Sequence, residues 1–233
     1  MSATGKDNTV TRIGILGSGH IGANVARFLA AAGHDVVVSF STDADKLAAL
    51  AADIGARATT PAMAAAHGDV VVLSVPWGMV DTAIAQAGGP RVLAGKIVID
   101  TCNQFARIDG QFGVLDLGDQ SAAEINAAKA PAAQWTKTFN TLTAGFQASA
   151  AGRAGADRVV LFHAAADDAA ADVVASLIAD AGFDPVRTGT LARTEVGHQE
   201  PKGDLYGEEF HHAAAVAAVA RLRGTPPSGK GRP

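Results

Sequence analysis

The run Arg12-Ile-Gly-Ile-Leu16, continued by Gly17-Ser-Gly-His-Ile-Gly22, constrains this chain more than any other segment. The apolar run reads as a buried strand. Ile21, Val25, Phe28 and Leu29 then recur at helical spacing, which predicts a helix from about His20 to Ala32, closed by Gly33. The G-x-G-x-x-G spacing at the junction gives each glycine a task. Gly17 permits the tight turn, Gly19 leaves the backbone bare for a pyrophosphate, and Gly22 lets helix and strand pack closely. The helix start adds free N–H groups and a positive dipole end. The candidate cofactor contacts of this turn are Gly17, Ser18, Gly19, His20, Ile21 and Gly22. His20 is a variable position of such turns, and simple exposure accounts for it equally well.

Strands and helices alternate through the rest of the chain. Strands are expected at 35–39, 56–58, 69–75, 96–100, 135–140, 158–164 and 183–187. Helices are expected at 43–54, 78–87, from Ser121 to before Pro131, 168–181 and 208–222. In the helix at 168–181 the apolar face is Val173, Val174, Leu177 and Ile178. This order predicts an α/β fold: a Rossmann-type, doubly wound parallel sheet with a small C-terminal α/β lobe. The expected division is a flexible N-terminus at 1–9, a dinucleotide-binding domain at 10–140, a lobe packed on it at 141–224 and a disordered tail at 225–233.

Composition narrows the function classes. A net charge of −4 with no basic block argues against nucleic acid or an anionic membrane as partner. One cysteine, Cys102, cannot form an internal disulfide and suits a reducing compartment. The polar segment Met1 to Thr9 lacks an apolar signal core, and no apolar run is long enough to span a bilayer, so a cytoplasmic setting is expected.

The end of the second strand reads Ser39-Phe40-Ser41-Thr42, with Lys46 one helical turn on. An NAD site usually carries an acid there to hold the ribose hydroxyls. None is present, and hydroxyls and a lysine can receive a 2′-phosphate, so NADP is favoured over NAD. No arginine supplies the stronger phosphate fork, and Asp43 and Asp45 lie close by. Capping of the following helix is the structural reading of Ser41, Thr42 and Asp45.

The segments Ile13–Gly22, Val72-Leu-Ser-Val-Pro-Trp77, Ile97-Val-Ile-Asp-Thr-Cys-Asn103, Lys137-Thr-Phe-Asn-Thr141 and Ala179-Asp-Ala-Gly-Phe-Asp-Pro-Val186 together resemble the NADP oxidoreductases dependent on coenzyme F420, a deazaflavin. The resemblance implies that Ser41 and Lys46 grip the 2′-phosphate, with Thr42 where the family has arginine. It implies that Ser74, Val75, Pro76 and Trp77 pass the cofactor near its nicotinamide. Thr101, Cys102 and Asn103 then stand at the site mouth, and Phe139, Asn140 and Thr141 beside the nicotinamide. It also implies hydride exchange between NADP and F420, and pairing of two copies through the second lobe.

Such chemistry resides in the two cofactors, and no acid–base side chain is obligatory. Tyr206, the only tyrosine, is a candidate substrate-site proton donor, although a tyrosine in a polar loop more often packs. His198, Glu200, His211 and His212 match no zinc spacing, so no metal is expected. Cys102 lacks a partner histidine and reads as a small lining residue rather than a nucleophile. Two other functions stay open: an NADP-linked reductase of an imine, carbonyl or flavin, and a dinucleotide sensor without turnover.

Overall fold

A computed structural model describes residues 10–40 and 43–229 of the 233. The N-terminal segment 1–9, Ser41, Thr42 and the last four residues lie outside the described residues. The elements run β1 (Arg12–Leu16), α1 (His20–Ala31), β2 (Asp35–Ser39), α2 (Ala44–Asp53), β3 (Arg57–Ala58), α3 (Pro61–His67), β4 (Val70–Leu73), α4 (Val80–Gln86) and β5 (Ile97–Asp100). They continue with β6 (Phe105–Ile108), β7 (Gln111–Val114), α5 (Ala122–Ala127), β8 (Gln134–Lys137), α6 (Ala144–Ala150), β9 (Val160–Ala165), α7 (Asp168–Asp180), β10 (Asp184–Gly189), α8 (Arg193–Val196) and α9 (His212–Leu222).

An eight-stranded sheet in the order β10-β9-β8-β5-β4-β1-β2-β3 forms the centre. Strands β1, β2, β4 and β5 are largely buried on both sides because both faces are covered. Ile13, Ile15, Val36, Val38, Val70 and Val72 point to one face, where α1 and α7 supply Val25, Leu29, Val174, Leu177 and Ile178. The alternate residues Leu16, Val37, Val71 and Leu73 point to the other, where Ala64, Ala65, Val80, Ala83 and Ile84 of α3 and α4 cover them. Each fully buried Val, Leu or Ile contributes roughly 1.5–3 kcal/mol, so these two layers hold the sheet. Val173, expected on the apolar face of α7, is exposed instead, because the stripe that meets the sheet is Ala170, Val174, Leu177 and Ile178.

The doubly wound α/β architecture is as expected, with one correction. β9 pairs antiparallel to β8, although β10 pairs parallel to β9. The sheet runs unbroken past residue 140, where β9 and β10 extend it. The start of the supposed disordered tail is engaged as well: the Thr225 carbonyl accepts from His198 Nε2 at 2.9 Å, and the Ser228 N–H donates to Asp204 at 3.1 Å.

Four elements carry signals that periodicity alone passes over. Thr60 caps α3 through the Met63 N–H, with Pro61 in the first turn. The alanines of α3 have no apolar rhythm, yet they press so close to β1 that a Cβ on Gly14 would sit 2.0 Å from the Ala64 carbonyl oxygen. Thr143 caps α6 in the same way. The hairpin β6–β7 turns at Asp109-Gly110, with φ of 50° and 81°, the conformation that a two-residue Asp-Gly turn favours.

Candidate functional site

β1 and β4 are neighbours in the sheet, and the chain leaves them to opposite sides. A crevice therefore opens beyond their carboxyl ends, where ligands bind in open α/β sheets. The three glycines of the first turn divide their work as expected. Gly17 has φ +115°, and a Cβ there would meet the Ser74 carbonyl oxygen at 2.0 Å. A Cβ on Gly22 would meet the Gly17 carbonyl oxygen at 1.9 Å. Gly19 differs: nothing lies within 4 Å of its Cβ position, its backbone is exposed, and it caps α1 without a side-chain hydrogen bond among the described residues. That bare twelve-residue helix start is a cradle for paired phosphates, and it fits a dinucleotide.

From Gly19 a cleft of about 460 Å³ runs across the strand ends. It brings together many residues singled out in the sequence: Gly19, His20, Ile21, Ser74, Val75, Pro76, Trp77, Thr101, Cys102, Asn103, Phe139, Asn140 and Tyr206. Phe105, Phe112, Leu142, Thr143 and Ala144 complete the lining. These five were not anticipated. The Asp-Gly turn between two alternating runs was the available signal for Phe105 and Phe112.

Other candidates fall elsewhere. Ser39 is fully buried, and its hydroxyl donates to the Ile15 carbonyl at 2.8 Å, so it is spent inside the sheet rather than offered to a phosphate. Thr141 is buried and absent from the lining. Ser18 and Lys46 line a different hollow, of about 420 Å³, together with Arg27 and Asp53. Arg27 is paired to Asp53 there, and Lys46 Nζ stands 3.4 Å from Asp43. Phe40, also of the loop after β2, accepts the Ser18 N–H on its carbonyl at 3.3 Å. Ser41 and Thr42, the other expected phosphate contacts, lie outside the described residues.

The cleft floor is held by a buried polar network. Lys137 and Asp100 pair at 3.0 Å with both side chains almost wholly buried. Asp100 also accepts the Cys102 N–H at 2.7 Å and the Asn126 amide at 3.0 Å, and Lys137 donates to the Cys102 carbonyl. Burial alone would drive the Lys137 proton off, but Asp100 and Glu200 outweigh it and hold the ammonium above its ordinary range. Burial raises the Glu200 carboxyl, against the pull of Lys137 and of the Ala122 and Ala123 N–H groups, each donating at 2.9 Å. Burial, reinforced by Asp100, pushes the Cys102 thiol well up, so no thiolate forms there.

Above this floor two asparagines clasp each other. Asn140 donates to Asn103 Oδ1 at 3.1 Å and to the Gln199 carbonyl at 2.7 Å, and Asn103 donates back to the Asn140 carbonyl at 2.9 Å. Asn103 also reaches the Tyr206 hydroxyl at 3.4 Å. Burial raises the Tyr206 phenol, so it stays neutral and able to donate. The segment 198–206, part of the stretch whose role the sequence left open, thus meets the cleft through Tyr206, with the Gln199 carbonyl holding Asn140. No group of His, Cys, Asp and Glu among the described residues could hold a metal ion.

The cleft and its glycine cradle have the shape and position of a dinucleotide site, and proteins of known chemistry are similar to this chain. Residues 12–104 match the family NADP oxidoreductase coenzyme F420-dependent. A candidate F420-dependent NADP reductase from Arthrobacter sp. FB24 is 27% identical, with a TM-score of 0.69 over 78% of this chain and 86% of its own. The hypothetical protein SMa0349 from Sinorhizobium meliloti is 28% identical, with a TM-score of 0.75 over 88% of this chain and 98% of its own. A reductive aminase from Aspergillus terreus, in complex with NADPH and ethyl levulinate, shares the fold at 22% identity and a TM-score of 0.60, over 82% of this chain and 59% of its own. No curated protein matches the sequence. Over residues 12–104 the chain is thus similar to NADP oxidoreductases, on a fold of Rossmann type. No helix among the described residues is long and apolar enough to cross a membrane.

Proposed function

We propose that this protein is an oxidoreductase that reduces a deazaflavin of the coenzyme F420 class with NADPH. The observation that carries the reading is the single cleft that leads from the bare Gly19 backbone to the Asn103–Asn140 clasp. When bound, NADPH supplies a hydride, one proton with two electrons, to the acceptor and leaves as NADP⁺, while one proton from water completes the reduced acceptor.

The chain's own residues bind, orient and exclude water. Gly19 and the N–H groups that open α1 receive the pyrophosphate. Lys46, with Ser18 beside it, offers charge and hydrogen bonds at the adenosine end, in a hollow whose one lining acid among the described residues, Asp53, is paired to Arg27. Val75 and Pro76 would bear on the nicotinamide, and the buried Asn140 Oδ1, which has no hydrogen-bond partner among the described residues, would accept from its carboxamide. Leu142, Phe139 and Phe105 keep the reacting faces dry, which strengthens every polar contact among them. No side chain needs to change charge, in agreement with a lining free of Asp, Glu, Lys and Arg among the described residues.

Mixing the protein with NADPH and oxidised F420 tests the reading. Loss of the visible deazaflavin absorbance, matched by loss of NADPH absorbance, is expected. Tight NADPH binding with no loss of either sinks it. One observation favours a second reading: a neutral Tyr206 hydroxyl in the cleft can donate a proton to a reduced imine or carbonyl. Tyr206→Phe separates the two, since F420 reduction should continue while reduction of an imine or carbonyl should fall about 100-fold or more.

A further inference from the structure

We propose that the β6–β7 hairpin is the acceptor-side jaw of the cleft, and that Phe112 on it selects a planar, uncharged aromatic ring. This rests on the reading of the cleft as a reductase site. The hairpin starts at Phe105, immediately after the matched family segment ends at residue 104. Its register places Phe105 opposite Val114 and Arg107 opposite Phe112, which puts both phenylalanines on one face. Their rings stack, with centroids 5.1 Å apart and planes at 27°. Tyr206 meets Phe105 edge-on at 6.5 Å.

Phe105 and Phe112 both line the cleft, yet Phe112 is 74% exposed. An aromatic ring held in place by its neighbour and left open to solvent at a site mouth presents a ready stacking surface. The cleft lining holds amides, hydroxyls, the Cys102 thiol, the His20 imidazole and apolar groups, and no Asp, Glu, Lys or Arg among the described residues. Arg107, opposite Phe112 in the hairpin, donates to the Gly110 carbonyl at 2.9 Å and does not line the cleft, so a carboxylate or phosphate drawn among the lining residues loses its hydration without gaining a lysine or arginine. A flat neutral ring loses little and gains a stacking partner.

Riboflavin, which carries no phosphate, is a direct probe. With the protein saturated in NADP⁺, riboflavin should bind and its fluorescence should be quenched. Phe112→Ala should weaken that binding about tenfold, in line with single ring-stacking contacts, and Phe112→Tyr should restore it. FMN should bind no more tightly than riboflavin. Equal riboflavin affinity in the wild type and Phe112→Ala overturns the proposal, as does absence of riboflavin binding to the wild type or a tenfold preference for FMN. The two readings fail separately. Phe112-dependent riboflavin binding without any F420 reduction leaves the jaw standing and removes the deazaflavin reductase. F420 reduction with an unchanged KM in Phe112→Ala does the reverse.

Discussion

Replacing each glycine of the first turn by alanine should divide stability from binding. At Gly17 the added methyl group meets the Ser74 carbonyl oxygen at 2.0 Å on a backbone with φ +115°. Left-handed strain of roughly 1–2 kcal/mol and overpacking of roughly 1–3 kcal/mol give about 3 kcal/mol of lost stability. With 233 residues, the unfolding entropy is about 0.5 kcal/mol per degree, so Tm should fall by about 6 °C. At Gly19 nothing lies within 4 Å of the methyl group. A poorer helix cap and a stiffer unfolded chain nearly cancel there, and Tm should hold within about 2 °C. The same methyl group occupies the space a pyrophosphate needs, and an overlap worth about 2 kcal/mol raises the Kd for NADPH about 30-fold. Thermal melting and calorimetric titration of both variants read the two effects. A Gly19→Ala protein that melts normally and binds NADPH as the wild type does would refute the cradle.

Three further outcomes follow from the geometry. Lys46→Ala should weaken NADPH binding about fivefold, leave NADH binding unchanged and lose its effect in high salt, which paired titrations would reveal. Lys137→Met leaves Asp100 buried without its cation and should cost about 3–5 kcal/mol in urea unfolding, with part of the loss recovered by adding Asp100→Asn. His163, buried in β9 and near Arg187, is held down to about 4 from 6.5, first by burial and then by that charge. Its unfolded form therefore takes up the proton first, so stability is intact above pH 6.5 and declines toward pH 4. The loss by pH 5 should be about 2 kcal/mol, and His163→Leu should flatten that part of the profile.

The residues most readable in the sequence are those whose role is local. Gly17, Gly19 and Gly22 act through the backbone bend they sit in, and the apolar strands β1, β2, β4 and β5 declare themselves by composition. Ser39 misled because strand-end position says nothing about which way a hydroxyl turns, and here it turns into the sheet. The antiparallel entry of β9 carries no local mark, since a buried strand is apolar whichever way it runs. Phe112 and Tyr206 were hard to place for the opposite reason. Their work depends on elements that meet only in space, with Tyr206 brought to Asn103 across 103 positions of chain.

That long reach has a consequence for how the molecule assembles. Glu200 ties down the start of α5 from 78 residues away, and Gln199 ties down Lys137 from 62. Closing loops of such length costs entropy that the contacts made must offset. The glycine turn carries the same cost, since Ser74 must be brought against Gly17 across 57 positions, so both ends of the cleft exist only once distant parts of the chain have met.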